Sequence, residues 1–411
     1  MRSSTLNDSL FAANGAASSP GCIVSKIAYV GHDGTIHMAD VDDGSDEAIT
    51  PSDTPFTWPT WSPDGGRIAA SAFRSGSNGD GRIDLYVLEL GSSSPSLIYT
   101  NEPGTDAIAL RTPHYAMWSP DGRMLAFISQ SPERGLSLHV VDVQGSGEIE
   151  HLLDGGPMYV AWSSDSRFLL VHSGSSHYLM DFEGDHEMRE MPGTASASLY
   201  MTPSWAPAAG RAAMFRDLGQ ERQTLLVMDA LGGGVEAVAE VDGAGAFAWR
   251  PDGTAIGLAR DLDRRSGYYA GLWLLNSDGS GGQQLADEPL LCFFWSPKGD
   301  RVAYITPSEG GVGSVRWAVL DLQSSEIERF ADFRPSQEQL TTFMFFDQYE
   351  KSHSPWSPDG NRLIFSGALG HEEVRRALPA GSSTAVFVAD LRTDGEPRQV
   401  AAGFAGFWRP V

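Results

Sequence analysis

Trp61-Ser62-Pro63-Asp64-Gly65 heads a unit that the chain repeats, and this repeat constrains the fold more than any other feature. It returns in full at Trp118 and Trp356. Looser copies are Trp162-Ser163-Ser164-Asp165, Trp205-Ala206-Pro207, Trp249-Arg250-Pro251-Asp252-Gly253 and Trp295-Ser296-Pro297-Lys298-Gly299, and the chain stops on Trp408-Arg409-Pro410-Val411. The intervals between these eight tryptophans are 57, 44, 43, 44, 46, 61 and 52 residues. A period near 44 broken by insertions describes units that each bury a face only against a neighbour. The 411 residues therefore form one continuous body, although their length alone would suggest two or three domains.

Each unit reads the same way. A short segment leads into the Trp, and Ser-Pro-Asp-Gly makes a turn: proline presets φ, Asp bonds to backbone two residues on, and Gly takes positive φ without steric cost. Three further apolar segments follow, at 124–129, 136–143 and 148–153 in the unit of Trp118. Four short strands per period of about 44 residues is the size of one β-propeller blade. At the N-terminus, 26–30, 35–41 and 47–50 look like second, third and fourth strands alone, and 403–408 looks like a lone first strand. Joined, they complete a blade and remove the exposed edges of an open array. The expectation is an all-β chain: a flexible tail at 1–22, then a single eight-bladed propeller over 23–411 whose last blade is 403–411 plus 23–50. A seven-bladed ring is the alternative.

Composition narrows the function classes. A formal charge of −24 argues against nucleic acid, because phosphate binding needs a basic face. No run approaches the roughly 18–20 apolar residues of a membrane helix, so membrane insertion is not expected. Cys22 and Cys292 can supply neither a disulfide framework nor a zinc site. The Ser-, Ala- and Asn-rich start lacks the apolar core and basic flank of a signal peptide, which leaves the compartment open.

The pattern Trp-Ser-Pro-Asp-Gly-x-x-Ile/Leu-Ala, followed by a strand ending Val141-Asp142-Val143 or Ala389-Asp390-Leu391, resembles the WD40-like (PD40) repeats of TolB-type propellers. It is also similar to the propeller domains of the prolyl oligopeptidase and dipeptidyl peptidase IV family. The resemblance covers about 26–411. It implies a propeller, and for TolB-type members a protein-binding role and an extracytoplasmic location if an export segment is missing from this chain. Two departures stand out. TolB-type rings have six blades and a separate N-terminal domain, and the peptidases carry a hydrolase domain with a Gly-x-Ser-x-Gly elbow that this sequence lacks.

Function should reside where the repeat is interrupted. Two insertions flank Trp356, at 334–354 and 368–383. The first contains Phe346-Asp347-Gln348-Tyr349 and His353, aromatics beside polar groups that suit a mostly apolar pocket; packing across the channel mouth is the competing reading. The second, 371–378, reads as a short helix with a solvated charged face. Trp58, His114, Tyr115, Tyr159, Tyr200, Phe293 and Phe404 precede the repeated tryptophans and should approach the same mouth, with Arg111 nearby. Arg74, Arg216 and Arg260 could fix an anion there, or pair with Asp217, Asp261 and Asp263. His114 and His353 could converge on a metal, but no third ligand is evident. The loop 78–84 has the look of a calcium loop without carboxylates at its first and twelfth positions.

The preferred expectation is therefore a non-enzymatic, monomeric binding module without a cofactor or metal. It takes a protein, peptide or glycan on the insertion-bearing face through Phe346, Asp347, Gln348, Tyr349, His353, His114, Tyr115, Trp58, Tyr159 and Arg111. The alternatives are a propeller lyase or hydrolase with its site at the channel mouth, and an accessory propeller of a separately encoded peptidase.

Overall fold

The structure is a computed structural model that describes residues 25–74, 82–92, 94–101, 114–131, 135–184, 186–194, 202–207, 210–229, 234–310, 313–370, 384–393 and 397–411. The tail at 1–22, Asn78 to Gly81, Arg111, Tyr200 and the helix expected at 371–378 lie outside these residues.

The chain is an all-β propeller. Five antiparallel four-stranded sheets follow one another over residues 56–100, 115–155, 158–190, 204–242 and 246–286, each with strands paired in sequence order. The remaining strands join in one eleven-stranded sheet. Strands alternate their side chains between the two neighbouring sheets. Ile68 and Ala70 pack with Ala28, Ile36 and Phe407 on one side, and Ala69 packs with Trp118 and Leu125 on the other. The core is thus a set of sheet-to-sheet interfaces around a ring.

The repeated turn builds that ring through local bonds. Gly65 N–H donates to Ser62 O at 2.8 Å with Gly65 at φ 62°, and Asp64 Oδ1 accepts from Ser62 Oγ and Gly66 N. The turns at Gly122, Gly253, Gly299 and Gly360 repeat the bond. Each motif tryptophan then reaches the preceding blade, donating its indole N–H to the carbonyl just before that blade's own tryptophan. Trp118 donates to Thr60 O, Trp162 to Met117 O, Trp205 to Ala161 O, Trp249 to Ser204 O, Trp295 to Ala248 O and Trp356 to Phe294 O. Trp408 donates to Pro355 O and Trp61 to Phe407 O, so the circuit closes on itself. Arginines add a second latch: Arg67, Arg250 and Arg409 donate to the turn carbonyls of Gly122, Gly299 and Gly65 in the adjacent blades.

The two joints within the long sheet differ in kind. The last strand, Arg398–Trp408, pairs through Arg398 to Ala402 with Ala385–Asp390, and through Gly403 to Trp408 with Lys26–Gly31. One strand thereby serves two blades and links the ends of the chain. The other joint departs from expectation. Phe333–Pro335, which the repeat pattern assigns to the end of one unit and the start of a loop, pairs with Gly367 to Leu369 of the strand Arg362–Leu369. Trp356 bridges Leu363 further down the same strand. The insertion therefore splits the inner strand of a blade instead of preceding it. Between the halves the chain leaves the sheet as helices α1 (Gln337–Met344) and α2 (Phe346–Tyr349). Ser336 caps α1, accepting from Gln339 N, and Gln339 Oε1 accepts from Ser366 N at 3.0 Å. A side-chain amide thus replaces the strand partner that the split removed.

Candidate functional site

Helix α2 enters the central channel and plugs it. Phe346, 1% exposed, lies among Tyr269, Phe293 and Phe294, and Phe343 packs edge-on against Trp317 and Phe333. Tyr349 stacks on Trp58 with ring centres 5.2 Å apart and meets Tyr115 and His353 edge-on. Tyr115 Oη donates to Gln348 O at 2.8 Å. Trp58 has φ 53°, a left-handed conformation that costs roughly 1–2 kcal/mol for a residue with a Cβ. The stack on Tyr349 and the T-shaped contact with His353 offset that strain.

Most of the expected site residues are thus packing, and this corrects the picture of an open aromatic mouth. Phe346, Gln348, His353, Tyr115, Tyr159 and His114 are all buried. Apolar rings brought within reach of a channel gain more by excluding water together than by lining an open cleft. His114 and His353 do not converge. His114 bonds Ser71 Oγ and Asn101 Oδ1 between two blades, whereas His353 bonds Ser352 Oγ and lies against Phe407. Burial pushes each imidazole down to about 3, so both are neutral at pH 7. Tyr159 stacks on His172 within its own blade. Arg74 pairs with Asp84 and Arg260 with Asp261, and Arg216 donates to Gly193 O.

Asp347 behaves differently. It faces a cavity of about 590 Å³ on the other side of the plug. The walls of this cavity are the lower halves of the inner strands, and its rim carries the exposed turn prolines Pro63, Pro120 and Pro297. It opens on the Trp-turn side of the ring, opposite to the expected face. Its floor is the end of the insertion: Asp347, Gln348, Glu350, Lys351 and Ser352. Gln348 N–H and the backbone and hydroxyl of Thr202 bond to the Asp347 carboxylate, yet burial still pushes it up to about 6. Burial also raises Glu350 to about 7; Lys351 opposes the shift and Asp347 adds to it. Lys351 Nζ donates to Trp205 O at 3.1 Å, and burial lowers this ammonium while Glu350 supports it. Lys351 sits deep within the ring, but its side chain is exposed because the surface it presents is cavity wall.

Sequence reasoning took Lys351 as one of the polar groups beside the aromatics and passed over Glu350, Thr202 and Ser204. A signal was present: three charges within five residues, 347 to 351, interrupting an aromatic run, one of them among only three lysines in the chain. Such charges are costly to bury and are retained where they have partners or a task.

Compared by sequence, the chain matches no protein-family model and no curated protein. Its shape does have counterparts. A eukaryotic initiation factor shares 11% identity over 94% of this chain and 98% of its own, with TM-score 0.56. A puromycin-hydrolyzing peptidase from Mycobacterium tuberculosis shares 16% identity over 85% of this chain and 53% of its own, with TM-score 0.53. The fold is that of a β-propeller. TolB from Acinetobacter baumannii is also similar, at 17% identity and TM-score 0.38, over 66% of this chain and 65% of TolB's length. Of these, the peptidase and TolB are of the kinds whose propellers the repeats resemble. At such identities the likeness is one of fold, and function must be argued from the site.

Proposed function

We propose that the chain is a closed eight-bladed ring acting as a small-molecule binding module, with its site in the plugged channel on the Trp-turn side. The circuit of eight indole bonds and the strand shared by the two ends support the ring. A single observation carries the binding role. A cavity of about 590 Å³, within the size range of ligand sites, has apolar walls and a floor of charged side chains supplied by an insertion absent from the other repeats.

A thermal-shift screen with a broad small-molecule library tests the proposal, because ligands of the folded state raise its melting temperature. Hits should lose their effect in Pro297→Trp, which places a large ring at the rim. Hits that persist in this variant would relocate the site. The alternative reading, a lyase or hydrolase, draws on the same floor: Asp347 and Glu350 are pushed up to about 6 and 7, the range of a general acid or base at neutral pH. Turnover of a hit, abolished by Glu350→Gln, would favour it.

A further inference from the structure

We infer that the channel cavity selects a small organic ammonium ion, a protonated amine carried on an apolar body. The inference rests on the proposal that the cavity is a binding site, and it concerns which chemistry the floor accepts.

The charges at the floor favour a cation. Lys351 is engaged by the Trp205 carbonyl and by neighbouring Glu350. Those two charges compensate each other. Among the described residues, the donors that hold Asp347 are neutral: Gln348 N–H and the two donors of Thr202. Among the described residues, no other lysine, arginine or histidine lines the cavity. The floor thus carries one net negative charge when all three groups are ionised. Of the basic residues close in sequence to the rim, Arg67 and Arg409 point their guanidinium groups at the Gly122 and Gly65 carbonyls, Arg123 pairs with Asp142, and Lys298, beside Pro297, is exposed outside the cavity lining.

The acceptors at the floor favour an ammonium. Ser204 is 5% exposed, and its Oγ stands beside the Glu350 carboxylate without a well-formed hydrogen bond. It lines the same cavity. A primary ammonium has three N–H donors. Asp347, Glu350 and Ser204 offer three acceptors on one floor, which would replace the water the ammonium loses on entry. An anion would meet two carboxylates. A calcium ion would need six to eight oxygens, and among the described residues no group of three ligating side chains is placed to hold a metal. The wall supplies the remaining selectivity: Met117, Val160, Ala161 and Phe407 are apolar. The volume equals roughly 20 water molecules at about 30 Å³ each, room for a body of one or two rings.

Isothermal titration of the full-length chain at neutral pH tests this with butylammonium, 2-phenylethylammonium and tryptammonium, against 2-phenylethanol and 3-phenylpropanoate. At least one ammonium should bind about tenfold more tightly than both controls. Asp347→Asn, which keeps an acceptor for Gln348 N–H, should weaken that ammonium about tenfold and leave the far-UV circular dichroism unchanged. Glu350→Gln should act in the same direction. If no ammonium binds, or if Asp347→Asn leaves binding unmoved, the inference is overturned. If the alcohol or the carboxylate binds as well as the amines and loses affinity in Pro297→Trp, charge selection fails but the cavity remains a site. If neither these probes nor any library compound binds, both readings fall.

Discussion

Truncating Trp408 to alanine probes the closure of the ring directly. Its indole is 6% exposed, packed with Ile27, Ile364 and Val386, and it donates to Pro355 O at 2.9 Å. Removing a buried tryptophan side chain costs about 3–5 kcal/mol. The lost hydrogen bond belongs within that range, because Pro355 O keeps a second donor, Ile364 N at 2.8 Å, and is not left unpaired. Trp408→Phe retains most of the apolar area and loses the N–H, so about 1–2 kcal/mol is expected. Trp205→Phe, at an equivalent point of the circuit with its bond to Ala161 O at 3.0 Å, should cost a similar amount. Urea titration followed by far-UV circular dichroism gives these values from the midpoint and slope. A loss below about 1 kcal/mol for Trp408→Ala would show that the terminal strand frays independently. The ring would then not be a single cooperative unit, and the reasoning about its closure would fail.

Three further outcomes are expected. Gln339→Ala removes the acceptor for the buried Ser366 N–H and should lower stability by about 1–3 kcal/mol in the same assay, whereas Leu340→Ala, a more exposed neighbour, should cost less. Glu350 titrates near 7 in the fold against a reference of 4.5, so the folded chain holds more protons between these values and the group costs stability as pH rises through that window. Relative to Glu350→Gln, the wild type should therefore lose stability from pH 4.5 to pH 7, by at most about 3 kcal/mol and less where cavity water screens the charge. Cys292 is fully buried and its thiol is pushed up by that burial, so it should resist a thiol reagent in the native protein and react on unfolding, as peptide mapping by mass spectrometry would show.

The blades were legible in the sequence because their determinants are local. Ser62, Asp64 and Gly65 make a turn from bonds within five residues, and the same bonds recur wherever the motif does. The lone first strand at 403–408 and the three-strand start were legible as complementary pieces, since an edge that lacks its partner can be recognised from the pattern alone. The candidate site was only half legible. The segment 346–353 stood out, yet Phe346 and His353 are buried in packing, and Asp347, half-buried, lines the cavity. Whether a side chain in an insertion packs or points at solvent depends on which space encloses it, and repeat spacing contains no information about that space.

By itself, then, the sequence determined the repeating unit, its strands and the all-β ring, because turn chemistry and alternation of apolar residues act over a few residues. Only the tertiary structure decided where the insertion goes. The ring encloses a channel that no single blade possesses, and burying Phe343, Phe346 and Tyr349 within it favours folding the insertion inward. The same movement carries Asp347, Glu350 and Lys351 to the far side of the plug, onto the face marked by the repeated tryptophans.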